Sequence, residues 1–229
     1  MKVARLTIVN FRGVKNATLH FDGHTLLVGM NNVGKSTVCE ALDLVLGPDR
    51  LSKSPPVEEF DFYNAEYLES DRVTPRLLRI EVVLTDLSGE LLNRTSPHQE
   101  FWHKTEHRLL GEGEADTVDS SEVETCLRIE TIGTYNAEED DFEARTVFCH
   151  GPAGPDEAPK SVGKALKRMI GFLYLRTLRT GSRALSLERG SLLDVILRLA
   201  QVRAGLWENT IDRLRELDPP IDEGATNLR

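Results

Sequence analysis

The order of hydrophobic and polar side chains predicts that the chain opens with strands and then turns into a helix. Three early stretches have a strand pattern, alternating in the first two and mostly apolar in the third: residues 3–9, 17–21 and 24–28. Asp22-Gly23 before the third stretch is a hairpin signal, and the apolar composition that follows predicts a buried strand. Helical spacing begins at Lys35, continues to Leu46 and stops at Gly47-Pro48.

The remaining sequence predicts a second group of strands and a helical end. Further strands are expected at residues 77–84, 126–135, 142–148 and 171–175. The connections are expected to hold one short helix in residues 47–76, one or two helices with a mobile loop in 88–122, a linker at 151–159 and a helix over 161–169. Apolar residues recur at three- and four-residue spacing over 196–217, which predicts a terminal helix that either packs on the domain or begins a long arm.

Residues 29–36 carry the pattern G-x-x-x-x-G-K-S, which predicts a phosphate-binding loop. The loop stands between an apolar stretch and a helix, where backbone N–H groups and the positive helix end converge on a polyphosphate. Lys35 is expected to reach the β- and γ-phosphates as the catalytic lysine, Ser36 to bind Mg²⁺, and Thr37 to bond the α-phosphate. The predicted ATP-binding residues of the loop are Gly29, Asn31, Asn32, Val33, Gly34, Lys35, Ser36 and Thr37.

The loop alone leaves the class of nucleotide-binding protein open. Asp86, with Gly89 three residues later, fits the magnesium-side motif of a GTPase, although the chain shows no N-K-x-D-like guanine reader. The same Asp86 fits the Walker B carboxylate of a compact stand-alone ATPase. An arginine-rich lid made of Arg176, Arg179 and Arg183 would suit a nucleotide kinase.

Charge and composition limit which binding partners the chain is expected to have. The net charge of −9 argues against a uniformly basic nucleic-acid binder. The charge is uneven, because residues 86–145 contain 16 acidic and five basic side chains whereas 158–187 contain seven basic and no acidic ones. The basic stretch predicts either salt-sensitive DNA binding or a solvated face. With no apolar run of about 20 residues, no signal-peptide pattern and three scattered cysteines, we expect a cytoplasmic protein without a membrane partner.

Asn10-Phe11-Arg12-Gly13 stands between the first two strands, and two asparagines stand inside the phosphate loop. This order resembles the N-terminus of SMC/RecF-type ABC ATPases, in which a basic residue of the N-F-(R/K) corner lies beside the nucleotide. The resemblance implies that Arg12 contacts the nucleotide. The implied fold class is α/β: a P-loop ABC-type ATPase lobe with a mixed sheet, accessory antiparallel strands over about 76–150, and a helical arm at the end.

Later stretches are similar to the OLD (overcoming lysogenization defect) family: residues 84–88, the acidic hairpin around 138–142, and the run over 172–193. That family implies an ATPase head joined to a C-terminal TOPRIM nuclease that acts on DNA in phage defence or repair, as a homodimer using ATP and Mg²⁺. A RecF- or SMC-like DNA-binding head without nuclease activity is the alternative. Under the resemblance Asp86 lies on an accessory sheet, and Arg176 stands where related ATPases have the Q-loop glutamine. Arg176, Arg179 and Arg183 are then candidates for contact with phosphate, DNA or a partner head.

Several motifs of a complete ABC head do not occur before Arg229, namely a signature motif, an apolar strand ending in Asp-Glu and a switch histidine, and the TOPRIM carboxylates are also missing. We therefore expect the N-terminal part of a larger ATPase, or half of a split one, with weak hydrolysis alone. The expected division is an ATPase lobe over 1–190 and a helical segment over 191–229. Residues 138–141 are expected to form a solvated turn, and His103 with His107 is a metal pair without an evident third ligand.

Overall fold

A sheet of antiparallel strands organises the computed structural model, which describes residues 1–31, 33–154 and 158–174. Its strands are β1 Lys2–Phe11, β2 Val14–His20, β3 Leu78–Thr85, β4 Gln99–His103, β5 Arg108–Leu109, β6 Val123–Asn136 and β7 Asp141–Phe148. The α-helices are α1 Lys35–Leu46, α2 Gly89–Thr95 and α3 Lys164–Ile170. Short 3₁₀ turns occur at Arg50–Ser52, Glu59–Asp61, Tyr63–Ala65, Ser96–His98 and Glu114–Asp116.

Within the described residues the strand order is β2-β1-β3-β6-β4-β5, and β7 also pairs with β6. Strand β6 is long because its first part pairs with β4 and its second part pairs with β7. All of these pairs are antiparallel. The predicted α/β class is confirmed, with few helices set around a sheet that is antiparallel throughout the described part of the chain.

One face of the sheet and helix α1 form the main core. Strand side chains alternate between faces, so Leu6 and Ile8 of β1 point to the same side and both are fully buried. They pack in one cluster with Ile80 of β3 and with Ala41 and Leu44 of α1. Burying that many aliphatic side chains at about 25 cal/mol per Å² is what fixes α1 against the strands.

The first helix and most of the strands agree with the sequence pattern. Helix α1 has the predicted bounds, Lys35–Leu46, and ends where the Gly47 N–H donates to the Asp43 carbonyl. The two strands predicted near the start, the strand at residues 77–84 and the hairpin of β6 and β7 are also present, shifted by a few residues at their ends. The helix predicted over 161–169 is α3.

The third predicted strand is wrong. Residues 24–28 belong to no strand among the described residues, and Leu26 and Val28 are 85% and 82% exposed rather than buried. Asp22-Gly23 therefore joins no pair of strands, whereas the turn at Arg12-Gly13 joins β1 to β2. An apolar stretch is buried as a strand only where a neighbouring strand and covering helices meet it, and the described residues supply neither here.

Two further expectations need correction. Residues 88–122 contain helix α2, in agreement with the one or two helices expected, but β4 and β5 follow it where no strand was expected. Residues 172–174 are not in a strand in the described part of the chain, and Leu175 lies outside that part. The predicted domain boundary at residue 190 and the helical segment 191–229 also lie outside the described residues.

No helix among residues 1–31, 33–154 and 158–174 combines the length and the apolar character needed to cross a bilayer.

Candidate nucleotide-binding site

The phosphate loop leads directly into the first turn of α1, and the backbone there has the form that phosphate binding needs. Gly34 immediately precedes the helix in the left-handed region, with φ 91° and ψ 7°. Only glycine adopts that conformation without strain, which gives a physical reason for the second glycine of the motif. Space does not require the glycine, because a Cβ on Gly34 would lie 3.9 Å from Val14 Cγ2 at the start of β2, an ordinary van der Waals distance.

The start of α1 presents unpaired N–H donors. The first intrahelical bond of this turn runs from the Val38 N–H to the Gly34 carbonyl at 3.1 Å. Among the described residues no side chain caps the helix at its N-cap Gly34, and its first turn contains no acidic residue. The N–H groups of Lys35, Ser36 and Thr37 therefore carry the positive end of the helix dipole without a bonded partner among the described residues. This arrangement is suited to receive an anion.

Lys35 lies over the loop. Its ammonium group donates to the Gly29 carbonyl at 2.6 Å and to the Met30 carbonyl at 2.5 Å. An ammonium group has three donors, and two of them bond carbonyls at the start of the loop. The Lys35 side chain thereby folds back from the start of α1 over the loop, with one donor left for a further acceptor.

The other predicted loop residues lie in the same turn. Ser36 is exposed and Thr37 half-buried, and neither hydroxyl has a hydrogen-bonding partner within the described residues. Asn31 and Val33 are exposed, and Asn32 lies outside the described residues. A Cβ on Gly29 would lie 2.9 Å from Val33 Cγ2, so a side chain at this position would have to displace Val33. The group of residues therefore fits a polyphosphate with Mg²⁺, since donors, a cation and a free hydroxyl converge on one exposed turn.

Arg12 lies at the hairpin turn between β1 and β2, in the left-handed region with φ 50°. Its Nε donates to Asp61 Oδ1 at 2.8 Å, and its terminal nitrogen Nη1 forms an ion pair with Glu40 of α1. The Arg12 N–H also donates to the Asp61 carbonyl at 2.8 Å. The structure thus connects the Asn10-Phe11-Arg12 corner to the phosphate-loop helix through side chains that the sequence pattern had not singled out.

The sequence profile of the AAA ATPase domain matches residues 1–142, which include this loop, the Arg12 corner and most of the sheet. The chain belongs to the AAA ATPase domain family. Membership of an ATPase family implies the use of ATP, in agreement with the geometry of the loop.

Relatives of this AAA ATPase domain match only part of it. Uncharacterised proteins of Mycobacterium tuberculosis and Mycobacterium bovis are each 37% identical over 68 residues, which are 29% of this chain and 8% of those proteins. Endonuclease GajA of Bacillus cereus is 30% identical over 90 residues, which are 39% of this chain and 14% of that protein. The chain therefore corresponds to a small part of each of these relatives.

Among solved structures, an SMC ATPase described for ATP-driven dimerization and DNA-stimulated activation shares 11% sequence identity with this AAA ATPase domain. The match covers 88% of this chain and 98% of that one, at a TM-score of 0.38.

Asp86 is too far from the loop to hold its magnesium ion. Thr85, which precedes Asp86, pairs with Lys2 at one end of β1. The loop lies at the other end, because Gly34 is next to Val14 and Val14 pairs with Phe11. Nine residues of strand at about 3.3 Å each separate the two ends by roughly 30 Å. The GTPase and Walker B interpretations of Asp86 are therefore wrong for this AAA ATPase domain.

The D-x-x-G sequence has a structural explanation instead. Asp86 accepts from the Met1 α-amino group at 3.3 Å, and its own N–H donates to Glu124 at 2.7 Å. Ser88 is the N-cap of α2, and its hydroxyl accepts from the Leu91 N–H at 3.4 Å. These residues end one strand and begin one helix.

His103 and His107 do not form the metal pair that their spacing suggested. His103 is buried at the end of β4, and its Nδ1 accepts from the Glu106 N–H at 3.3 Å, so the expected helical spacing with His107 is absent. The residues that the structure describes hold no group of three side chains placed to bind a metal ion. Residues 137–140 form the exposed turn between β6 and β7, as predicted for this acidic segment. Arg176, Arg179 and Arg183 lie outside the described residues.

Proposed function

We propose that this chain binds ATP with Mg²⁺ in the phosphate loop and serves as the ATP-binding part of a larger DNA-acting ATPase of the OLD type. The observation that supports the ATP site is the N-terminus of α1, where Gly34 provides no side-chain cap and the Lys35 ammonium group folds back over the loop. Family membership supports the same conclusion independently.

Each residue of the loop has a defined part in this proposal. The N–H groups of Lys35, Ser36 and Thr37 bind phosphate oxygens, and the left-handed Gly34 lets the backbone turn so that they converge. Lys35 exchanges its two carbonyl partners for the β- and γ-phosphates, and the Ser36 hydroxyl holds the cation. Arg12 reaches the nucleotide from the hairpin corner. When bound, Mg²⁺ neutralises charge that develops on the phosphates.

The larger context rests on the resemblance to the OLD family and on the similarity to endonuclease GajA. In this proposal the chain cooperates with a TOPRIM nuclease region, DNA and a second copy of the ATPase, in phage defence or DNA repair in the cytoplasm. A RecF- or SMC-like head that binds DNA without cutting it is the second candidate. Metal-dependent cleavage of plasmid DNA by the complete protein favours the first, and ATP-dependent DNA binding without cleavage favours the second.

Calorimetric titration with ATP and Mg²⁺ tests the site. Lys35→Ala is expected to abolish binding, because it removes the only side-chain cation that the structure places over the loop among its described residues. Lys53→Ala is the matched control, since it removes a lysine outside the loop and is expected to bind ATP like the wild type. Unchanged ATP affinity in Lys35→Ala would refute the assignment.

A further inference from the structure

Arg12, at the hairpin corner beside α1, forms ion pairs with two carboxylates on different elements. Asp61 is 6% exposed and accepts from both the side chain and the main chain of Arg12. Glu40 lies on α1 and is about one-third exposed at its side chain, as is Arg12. Two carboxylates therefore compensate the charge of the guanidinium through Nε and Nη1, while other N–H groups of this five-donor side chain have no bonded partner among the described residues.

The spacing along α1 shows how far this arginine lies from the predicted phosphates. Glu40 follows Ser36 by four residues, so the two side chains lie on the same helix face, about 6 Å apart along the axis. The Arg12 guanidinium at Glu40 is thus about one helical turn from the residue expected to hold Mg²⁺. Rotation of the arginine side chain spans such a distance without movement of the main chain.

The main chain of the corner is fixed. The Arg12 N–H bond to the Asp61 carbonyl is 2.8 Å long, and Phe11 pairs with Phe62 in an isolated bridge. Asp61 is itself held by the Glu58 N–H at 3.1 Å. Asp61 is therefore held by hydrogen bonds to its side chain and to its carbonyl, whereas Glu40 contacts the guanidinium at the terminal nitrogen Nη1.

We propose that Glu40 competes with the phosphates of the nucleotide for Arg12, while Asp61 is a positioning residue that keeps the guanidinium close to the loop. The inference rests on the proposed ATP site. Removing the charge of Glu40 releases Arg12 towards the phosphates and strengthens ATP binding. Removing the charge of Asp61 lets the guanidinium move away and weakens it.

The two substitutions are expected to change ATP affinity in opposite directions, which calorimetry with ATP and Mg²⁺ can measure. Glu40→Gln is expected to tighten binding about three-fold, the size that a partly exposed ion pair supports. Arg12→Gln is expected to weaken binding about ten-fold, and Asp61→Asn two- to five-fold. The double variant Arg12→Gln/Glu40→Gln is expected to bind like Arg12→Gln alone. Glu90→Gln, which removes an exposed carboxylate paired with Arg94 on helix α2, is expected to leave ATP affinity unchanged.

A purely structural role for Glu40 predicts weaker binding, never tighter binding, on its removal. The proposal is overturned if Glu40→Gln leaves ATP affinity unchanged or lowers it. It is also overturned if Glu40→Gln tightens binding equally when Arg12 is Gln, because the effect would then be general electrostatics. Should Asp61→Asn fail to fold, the Glu40 and Arg12 variants decide the matter. If Lys35→Ala abolishes ATP binding but Glu40→Gln has no effect on it, only this inference fails. If the wild-type protein does not bind ATP, the proposed function itself fails.

Discussion

Lys167 is a buried amine whose substitution has a predictable effect on stability. It lies on α3 with 4% of its surface exposed, and its Nζ donates to Thr146 Oγ1 at 2.7 Å. Burial lowers the pKa of Lys167 from 10.5 to about 8, opposed by the nearby Asp43 carboxylate of α1. The native state therefore releases this proton at lower pH than the unfolded chain does.

The sign of the pH dependence follows from that difference. Between about pH 8 and 10.5 the unfolded chain retains a proton that the native protein has lost, so the free energy of unfolding rises with pH. A shift of about 2.5 pKa units at 1.36 kcal/mol each gives an upper value of about 3 kcal/mol for the rise. Lys167→Met removes the titrating group and keeps an unbranched side chain of similar length.

Urea denaturation at several pH values from 7.5 to 10.5 measures this effect. The free energy of unfolding of the wild type minus that of Lys167→Met is expected to increase with pH across this range. Taking this difference cancels the titration of groups that both proteins share. Lys164→Met is the matched control on the same helix, since Lys164 is 44% exposed at its side chain and pairs with Asp49 at the surface. A wild-type-minus-Lys167→Met difference that stays flat with pH, or falls, would contradict the description of Lys167 as a buried amine held by Thr146.

Three further predictions concern the site and its partners. Gly34→Ala is expected to lower the free energy of unfolding by about 1–2 kcal/mol and to weaken ATP binding, because φ there is 91°; Gly13→Ala, with no atom within 4 Å of the added methyl group, is the control in urea denaturation and calorimetry. Asp86→Asn is expected to leave ATP·Mg²⁺ affinity unchanged in calorimetry, and a large loss of affinity would show that Asp86 does belong to the nucleotide site. Joint replacement of Arg176, Arg179 and Arg183 by Ala is expected to weaken DNA binding and to reduce its salt slope by about two to three in fluorescence anisotropy; unchanged DNA affinity would assign these arginines elsewhere.

The local parts of the fold could be predicted from the sequence because their causes are local. The bounds of α1 follow from Gly34 before it and Gly47 after it, which end helical geometry on both sides. The β6–β7 hairpin follows from two alternating runs around a polar turn at residues 137–140. In each case neighbouring residues determine the backbone conformation.

The errors occurred where distant residues decide the structure. The apolar stretch at 24–28 reads as a buried strand, but the described residues provide no neighbouring strand, and Leu26 and Val28 remain exposed. Asp86 follows an apolar strand as a Walker B residue would, yet the antiparallel register of β1 and β3 places it at the far end of the sheet. Order along the chain cannot show the direction in which a strand runs.

The candidate site also combines features that adjacent residues predict with features that only the fold brings together. The roles of Gly34 and Lys35 follow from a motif of adjacent residues, whereas Asp61 reaches Arg12 only through the fold. Glu40 could have been noticed, because it lies four residues after Ser36 and therefore on the same helix face. Its pairing with Arg12 depends on how the β1–β2 hairpin meets α1, which the sequence pattern does not show.

The central claim is that the main-chain amides at the start of α1 receive the phosphates of ATP. Titration of ¹⁵N-labelled protein with ATP and Mg²⁺, followed by NMR, reports on each amide separately. The account predicts large shifts for Gly34, Lys35, Ser36 and Thr37, and slower hydrogen exchange at these positions in the bound state. Shifts confined to other parts of the chain, with these four amides unchanged at saturating ATP, would contradict it.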